Sequence, residues 1–169
     1  MKLLSKLTLA VLAITMMFAC KAKVEGEAAK VGDAEKNVPA APAAAQEFNI
    51  TKGSVLWTGS KVGGTHTGTI NINKGDIAVE GGAIKSGSFG IDITSLTNTD
   101  MEGEDKGNLE GHLKSPDFFD VGKFPMGMFT ITSVEAISGR EDATHTITGN
   151  LELKGKTKSV GRVLFILRN

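Results

Sequence analysis

The stretch Phe89-Gly90-Ile91-Asp92-Ile93-Thr94-Ser95-Leu96 is the clearest indication of the fold in this chain. Its apolar residues alternate with small or polar ones, which is the two-residue period of a strand with one buried face. The same period recurs in short runs over residues 48–169, where 19 of the 21 glycines of the chain fall. Short strands punctuated by glycine predict an antiparallel sandwich or barrel, and periodicity alone does not choose between the two.

Six further runs around that stretch have the same alternation. Tight turns are predicted at Lys74-Gly75-Asp76, at Gly81-Gly82 and at Lys154-Gly155-Lys156, because glycine next to polar residues favours a reversal of the chain. The six runs are residues 54–59, 66–73, 77–80, 128–134, 145–154 and 160–167.

A long interruption separates the strands at Thr97–Phe124. Phe118, Phe119 and Phe124 lie close together in it, and three aromatic residues in seven positions are unusual for a solvated loop. Ser115-Pro116 has the pattern of a cap followed by proline at a first helical position, which predicts a short helical turn there. We interpret the segment as a lid over one end of the sheet. Two roles stay open: closing the core, or gating a ligand cavity.

The beginning of the chain has the layout of a bacterial secretory signal. A basic start is followed by the apolar run Leu7–Phe18, which is too short to cross a bilayer core of about 30 Å as a helix. Met17-Phe18-Ala19-Cys20 resembles the lipobox of bacterial lipoproteins, so residues 1–19 are predicted to be the signal. Cys20 is predicted to carry the lipid, the alternative being a free thiol. Acyl chains there would hold the protein on a membrane surface.

The residues after Cys20 are rich in alanine and include Pro39 and Pro42, with no aromatic residue before Phe48. Such a segment buries too little apolar surface to order itself. We therefore predict three parts: a signal at 1–19, a lipidated cysteine with a disordered tether at 20–47, and a folded domain at 48–169.

Composition excludes several classes of function. The 19 basic and 19 acidic residues cancel, and without Lys2 and Lys6 of the signal the balance is 17 against 19, a net charge of −2. A nucleic-acid binder needs a basic face, so no nucleic-acid partner is expected. The single cysteine excludes an intramolecular disulfide and a CxxC pair. The motifs of common hydrolases and nucleotide-binding proteins are absent, which makes an enzyme the less favoured class, and no cofactor is expected.

Five blocks, in this order, resemble the YceI-like family over about Val55 to Val160. The resemblance implies a lipocalin-like, antiparallel barrel of eight strands, exported to the bacterial envelope, which holds a long isoprenoid chain in an apolar cavity; the short helical lid is predicted from the residues of this chain. The blocks are Trp57-Thr-Gly-Ser-Lys61, Gly64-Thr-His-Thr-Gly68, Phe89–Leu96, His112-Leu-Lys-Ser-Pro-Asp-Phe-Phe-Asp120 with Phe124-Pro125, and Gly149-Asn-Leu-Glu-Leu-Lys-Gly-Lys-Thr157.

The predicted function is therefore non-catalytic binding of an isoprenoid or other long apolar lipid by an envelope lipoprotein that faces the periplasm or the cell surface. The alternatives are a structural or stress-protective lipoprotein without ligand and, less favoured, a hydrolase-like enzyme. The oligomeric state stays open, a dimer included. The ligand-binding residues are predicted from the strand positions that alternate toward the interior and from the lid. They are His66, Ile70, Ile72, Phe89, Ile91, Ile93, Phe118, Phe119, Met128, Phe129, Ile147, Leu151 and Leu153.

Two readings stay open for His66, which shares its face with Ile70 and Ile72. It either contacts a ligand head group or is satisfied by nearby backbone. His112 is expected to tie the lid to the barrel, and His145 is expected at the surface. The spacing of the three histidines indicates no metal site.

The resemblance ends near Val160, where the family continues through a further pair of strands and this chain runs Gly161–Asn169. We therefore expect an incomplete ring of strands with exposed edges and an open cavity wall.

Overall fold

The computed structural model describes residues 29–139, 141 and 143–165. These residues form one antiparallel sheet of eight strands with one helix, which confirms the predicted all-β class. The strands are β1 (Lys30–Asp33), β2 (Gln46–Ile50), β3 (Gly53–Lys61), β4 (Gly64–Glu80), β5 (Ala83–Asn98), β6 (Met126–Ala136), β7 (His145–Leu153) and β8 (Lys156–Phe165), and the helix is α1 (Gly103–Lys114).

From β4 to β8 each strand pairs with the next one along the chain. The order across the sheet is β1-β8-β7-β6-β5-β4-β2, with β3 also on β4. Among the described residues no pairing links β1 to β2 or β3, so the sheet is not closed. This arrangement is consistent with a lipocalin-like barrel whose two edges stay apart.

β4 is a single strand of 17 residues, and the turn predicted at Lys74-Gly75-Asp76 is wrong. Those residues pair with β5 on one side, and β2 and β3 share the other side of β4. Gly75 serves a close approach there and not a reversal: a Cβ at this position would lie 2.8 Å from the Phe89 ring. The reversal comes at the next predicted turn, Gly81-Gly82, between β4 and β5.

A large bulge in β5 changes the direction of the sheet. Thr69 pairs with Thr97 and Asn71 pairs with Asp92, so a step of two residues on β4 (69 to 71) opposes a step of five on β5 (92 to 97). The Asp92 side chain stabilises this bulge by accepting hydrogen bonds from the backbone N–H and the hydroxyl of Thr94, at 3.1 and 2.6 Å. A bulge of this kind bends and twists a strand, which the curvature of a barrel wall requires.

The core lies against one face of this curved sheet, here called the inner face. Its members come from β4 to β7, as the alternation in the sequence predicts. The buried residues of the core cluster are Ile70, Ile77, Ile84, Phe89, Ile91, Ile93, Leu96, Phe129, Ile131 and Ile147.

The lid contains the helix α1, which the sequence did not predict, upstream of the predicted turn. Ser115-Pro116 follows the end of α1 and begins a turn, as predicted: the Phe118 N–H donates to the Ser115 carbonyl at 3.1 Å, and the Ser115 hydroxyl accepts from the Asp117 N–H at 3.3 Å. The Ser115 hydroxyl donates to the carbonyl of His112 at 2.8 Å, and proline just after a helix end prevents its continuation. The helix was missed because it has no buried residue and hence no apolar stripe.

The segment predicted as a tether contributes to the sheet. β1 pairs with β8, from Lys30 opposite Gly161 to Asp33 opposite Lys158. The predicted signal at 1–19 and Cys20 lie outside the described residues.

Candidate functional site

The inner face collects most of the side chains that the sequence predicted for ligand binding. Six are buried in the core: Ile70, Phe89, Ile91, Ile93, Phe129 and Ile147. Five others are partly buried around it: His66, Ile72, Phe119, Leu151 and Leu153. All except His66 belong to the core cluster or pack against it.

Met128 and Phe118 are not brought into the core cluster. Met128 adjoins Phe129 on β6, and because successive side chains of a strand point to opposite faces, only one of the two faces inward. Phe129 does, and Met128 instead borders a polar recess with Lys74 and Asp76. Phe118 is 47% exposed at the tip of the lid and packs edge-on against Phe119, with ring centroids 4.7 Å apart.

Two aromatic rings form the middle of the inner face. Phe89 and Phe129 are cross-strand partners, with ring centroids 6.4 Å apart and planes inclined by 26°. Glycines flank the pair: Gly75 pairs with Phe89, and the Phe129 ring occupies the space where a side chain of Gly149 would lie. Aromatic rings that lie over glycines on neighbouring strands stabilise a curved sheet without crowding it.

A polar cluster lies where the inner face reaches the lid, at the ends of β4 and β5. The His66 Nδ1 lies 3.0 Å from the Asp100 carboxylate, which also accepts hydrogen bonds from the Thr67 N–H at 2.7 Å and from the Asn98 side chain at 2.6 Å. The bond from Thr67 is the largest cause that lowers the pKa of Asp100 to about 2, with smaller contributions from His66 and Asn98, against partial desolvation. An ionised Asp100 requires the His66 Nδ1 to be the donor in their contact.

Asn98 organises this cluster and is fully buried. Its amide nitrogen donates to the Thr67 carbonyl at 3.0 Å as well as to Asp100, and its amide oxygen accepts from the Met101 N–H at 2.8 Å. Three hydrogen bonds therefore satisfy a group that would be costly to bury without partners. The end of β5 and the start of the lid are held in one fixed arrangement.

Glu110 fastens α1 to the same place. Its carboxylate accepts from the Asn98 N–H at 2.8 Å and from the Thr97 hydroxyl at 2.9 Å. The bond from the Asn98 N–H is the main cause of a lowered pKa of Glu110. A helix without an apolar face is thus held by a charge-assisted contact with the sheet.

Trp57 lies on the inner face directly opposite Gly68. Its ring, together with the Thr97 carbonyl, occupies the space where a side chain at position 68 would lie, so glycine is required there. The indole Nε1 is buried, and among the described residues it has no hydrogen-bond partner. An unpaired buried donor costs about 1–3 kcal/mol, which is uncommon enough to require an explanation.

The lid is also fastened at its tip. The Lys154 ammonium donates to the carbonyls of Pro116 and Phe118, at 2.7 and 2.9 Å. The lid also packs against the core through Leu113, Phe119 and Val121. The lid therefore covers one end of the inner face, and it is fixed there to the end of β5 and to the turn that follows β7.

The inner face continues to both edges of the open sheet, where it is less covered. Cross-strand register places Val31 of β1 beside Val160, and Phe48 of β2 beside Ile77. Directly opposite residues share a face, so both side chains lie on the apolar side. Val31 is 69% exposed and Phe48 is 43% exposed. The inner face thus ends in an exposed apolar side chain at each of the two unpaired edges, and we call these edges together the seam.

Two recesses open to solvent beside the bend of the sheet, with volumes of about 450 and 330 Å³. Most of the residues that line them are polar or glycine, and Ile72 of the inner face also lines the larger one. The larger one includes Lys52, Asn71, Asn73 and Asp92.

In the described part of the chain, no group of three His, Cys, Asp or Glu side chains is arranged to hold a metal ion. No helix of the described residues has the length and apolar character to cross a bilayer. His112 is exposed on α1, and the His145 Nδ1 lies 2.9 Å from the Thr144 hydroxyl.

Sequence reasoning missed several residues of this site, namely Asn98, Asp100, Glu110 and Lys154. The only signal for Asp100 was its place in the acidic start of the lid, and nothing local indicated that it would contact His66. Trp57 was within a noted block, but its pairing with Gly68 follows from strand register.

Comparison with known proteins gives one family. The model described as YceI-like domain matches residues 47–164, which is more than half of the chain. Curated relatives include a UPF0312 protein of Yersinia enterocolitica, 35% identical over 68 residues, and Protein YceI of Salmonella arizonae and of Salmonella newport, each 41% identical over 68 residues. Each match covers 40% of this chain and 33% (Yersinia) or 34% (Salmonella) of the relative, so it spans about a third of the relatives' length.

Proposed function

The chain belongs to the YceI-like family, and from this premise we propose that it binds a long apolar ligand, of isoprenoid or similar lipid type, without catalysis. The observation that carries the proposal is the seam, where the apolar inner face is left partly uncovered at the edges β1 and β2. Exposed apolar side chains that border a buried apolar core, as Val31 and Phe48 do at these edges, suit contact with an apolar ligand.

The chemistry of the inner face suits such a ligand. Its central residues are aliphatic or aromatic, and apolar burial gains about 0.8 kcal/mol for each methylene-sized group. Ordering a flexible chain offsets part of that gain, so a ligand of several isoprene units is favoured over a short one. This binding needs no reactive side chain.

The cellular location of the protein is part of the same proposal. We place the protein in the bacterial envelope, anchored to a membrane surface through a lipidated Cys20. The apolar run before Cys20 supports this placement. A Cys20→Ser variant is expected to move from the membrane fraction to the soluble fraction, and a variant that stays with the membrane would contradict it.

Extraction of the native protein with organic solvent, followed by mass spectrometry, tests the function. We expect an isoprenoid or comparable lipid in near-stoichiometric amount. Recovery of protein without lipid, both from cells and after incubation with the isoprenoid alcohol phytol, would contradict the proposal.

A matched pair of variants on β3 sharpens this test. Val55 packs against the core from the inner face, while its neighbour Leu56 is 80% exposed on the other face. Val55→Gln is expected to lower the amount of lipid recovered by about tenfold, because a polar group then lies along the apolar chain. Leu56→Gln makes the same chemical change outside and should recover as much lipid as the unmodified protein.

A second candidate function has its own support. Ile77, Ile93, Leu96, Ile131 and Ile147 are fully buried, so much of the inner face serves as an ordinary core. This observation favours a structural envelope lipoprotein whose interior holds no ligand. Two results together would favour this function over binding. The native protein would contain no lipid, and the Val55→Gln variant would restore the phenotype of cells that lack the protein as well as the unmodified protein does.

A further inference from the structure

We propose that the lid end of the inner face is a head-group site for a ligand that ends in a hydroxyl group, formed by His66 and the indole of Trp57. The inference rests on the proposed binding function and specifies the polar end of the ligand. Both residues lie on the inner face: Gly59 pairs with His66, and Trp57 pairs with Gly68 two residues further along β4. The apolar surface thus ends in two polar ring groups.

The contact with Asp100 fixes the orientation of the His66 ring. Its Nδ1 donates to Asp100, which is itself held by Thr67 and Asn98. With Nδ1 as the donor, Nε2 of the neutral ring is an acceptor on the opposite side of the imidazole, away from Asp100. No contact within the described residues uses Nε2. A carboxylate behind an imidazole is a common way to present the other ring nitrogen to a ligand.

Trp57 supplies the complementary group. Its Nε1–H is a buried donor without a partner in the described part of the chain. The nitrogen is covered, so contact with a ligand requires a shift of the indole. A hydroxyl group both donates and accepts, and it therefore satisfies the acceptor of His66 and the donor of Trp57 together. An ether or a ketone satisfies only Trp57.

The charge at this end favours a neutral head group over an anionic one. The Asp100 carboxylate lies 3.0 Å from the His66 ring, and the Glu110 carboxylate is bound to neighbouring Asn98. An anionic head group at His66 would be repelled by Asp100, whereas Lys106, 3.7 Å from Glu110, partly balances that second charge. A prenyl alcohol or a quinol-type hydroxyl avoids this repulsion.

The test compares phytol with phytene, the hydrocarbon of the same isoprenoid skeleton that lacks the hydroxyl. Binding to the full chain is followed by the emission of Trp57, the only tryptophan in a chain without tyrosine. We expect about tenfold tighter binding of phytol, the size of a typical net hydrogen-bond contribution. His66→Leu should remove this preference while phytene affinity stays the same. His112→Leu, which changes an exposed histidine of α1, should keep it.

The outcomes separate the two proposals. Equal binding of phytol and phytene by the unmodified protein would overturn the head-group site and leave the binding function standing. Loss of the preference in His112→Leu as well would also overturn the head-group site. Binding of neither compound would overturn both. Phytene binding by His66→Leu shows in the same experiment that this variant is folded.

Discussion

At the scale of single residues, Asn98 and Asp100 fix the geometry of the lid end. The buried amide of Asn98 joins the Thr67 carbonyl, the Asp100 carboxylate and the Met101 N–H. Thr67 belongs to β4, whereas Asp100 and Met101 follow β5, so the cluster forms only once β4 and β5 are in register. A rigid polar cluster of this kind determines where the His66 ring lies, and hence which groups the inner face offers.

The lowered pKa of Asp100 predicts a pH dependence of stability. Its folded pKa is about 2, below the ordinary value of 3.8, so the folded protein favours the ionised form. The contribution is complete above pH 4 or so, and it is lost as the pH falls from about 4 to about 2. Urea denaturation at several pH values should therefore show a smaller acid loss of stability in Asp100→Asn than in the unmodified protein.

A second carboxylate provides a control for effects of acid on stability that do not depend on Asp100. Asp117 is exposed in the same lid segment, and Asp117→Asn should follow the unmodified protein between pH 4 and pH 2. The same curve for Asp100→Asn and Asp117→Asn would show that the contact with Thr67 and His66 contributes nothing to stability.

Gly68 gives a second prediction at this scale. A methyl group there would meet the Trp57 ring and the Thr97 carbonyl, so Gly68→Ala should lower the free energy of unfolding by about 1–3 kcal/mol. Gly107 of α1 has open space around it, and Gly107→Ala should raise stability by about 0.5–1 kcal/mol. Urea denaturation followed by Trp57 emission measures both. A Gly68→Ala protein as stable as the unmodified one would contradict the close contact.

Sequence reasoning reached the inward residues of this site but not the polar residues behind them. Ile70, Ile91 and Ile147 follow from alternation, because burial repeats at every second position. The contact between His66 and Asp100 joins residues 34 positions apart and depends on strand register, for which a single sequence carries no local signal.

At the scale of elements, the lid is held at two points with different chemistry. Glu110 binds the backbone of Asn98 and the Thr97 hydroxyl near the helix, and Lys154 binds the carbonyls of Pro116 and Phe118 at the tip. Between these points, Leu113 and Phe119 pack against the core. Release at either point would free one half of the lid while the other half stays in place.

Lys154→Met tests the fastening at the tip. Hydrogen bonds from a charged group contribute about 1.5–3 kcal/mol, so its loss should speed amide hydrogen exchange in residues 117–124 by about tenfold or more. Exchange in α1 should change less, because Glu110 is untouched. Lys156→Met changes a nearby exposed lysine and should leave the lid unchanged. Equal exchange in both variants would show that Lys154 does not hold the lid.

The elements also show where local signals mislead. Lys74-Gly75-Asp76 has the composition of a turn, yet Gly75 lies in mid-strand because the Phe89 ring needs its space. α1 has no buried residue and only two apolar ones, Leu109 and Leu113, so hydrophobic periodicity was too weak to predict it. β1 was missed because its four residues are all exposed and are held by pairing with β8.

At the scale of the whole molecule, the open sheet predicts that a bound ligand stabilises the fold. A ligand that covers the seam binds the folded state alone, so at 100 times its dissociation constant it adds about 2.7 kcal/mol. For a chain of this size that corresponds to a rise in Tm of about 5–10 °C. Thermal unfolding with and without phytol measures it, and Val55→Gln is the matched variant in which the rise should shrink. An unchanged Tm at saturating phytol would contradict binding at the seam.

The pairing of β1 with β8 has a consequence for the order of folding. From β4 to β8 each strand finds its partner next along the chain, whereas the ion pair between Asp33 and Lys158 joins residues 125 positions apart. The entropic cost of closing a loop grows with its length, so short hairpins form sooner than long-range pairs. The meander therefore assembles first, and β1 adds to a finished edge as the last step. Because β1 is short and paired on one side only, we also expect it to detach and re-form while the rest of the sheet remains folded.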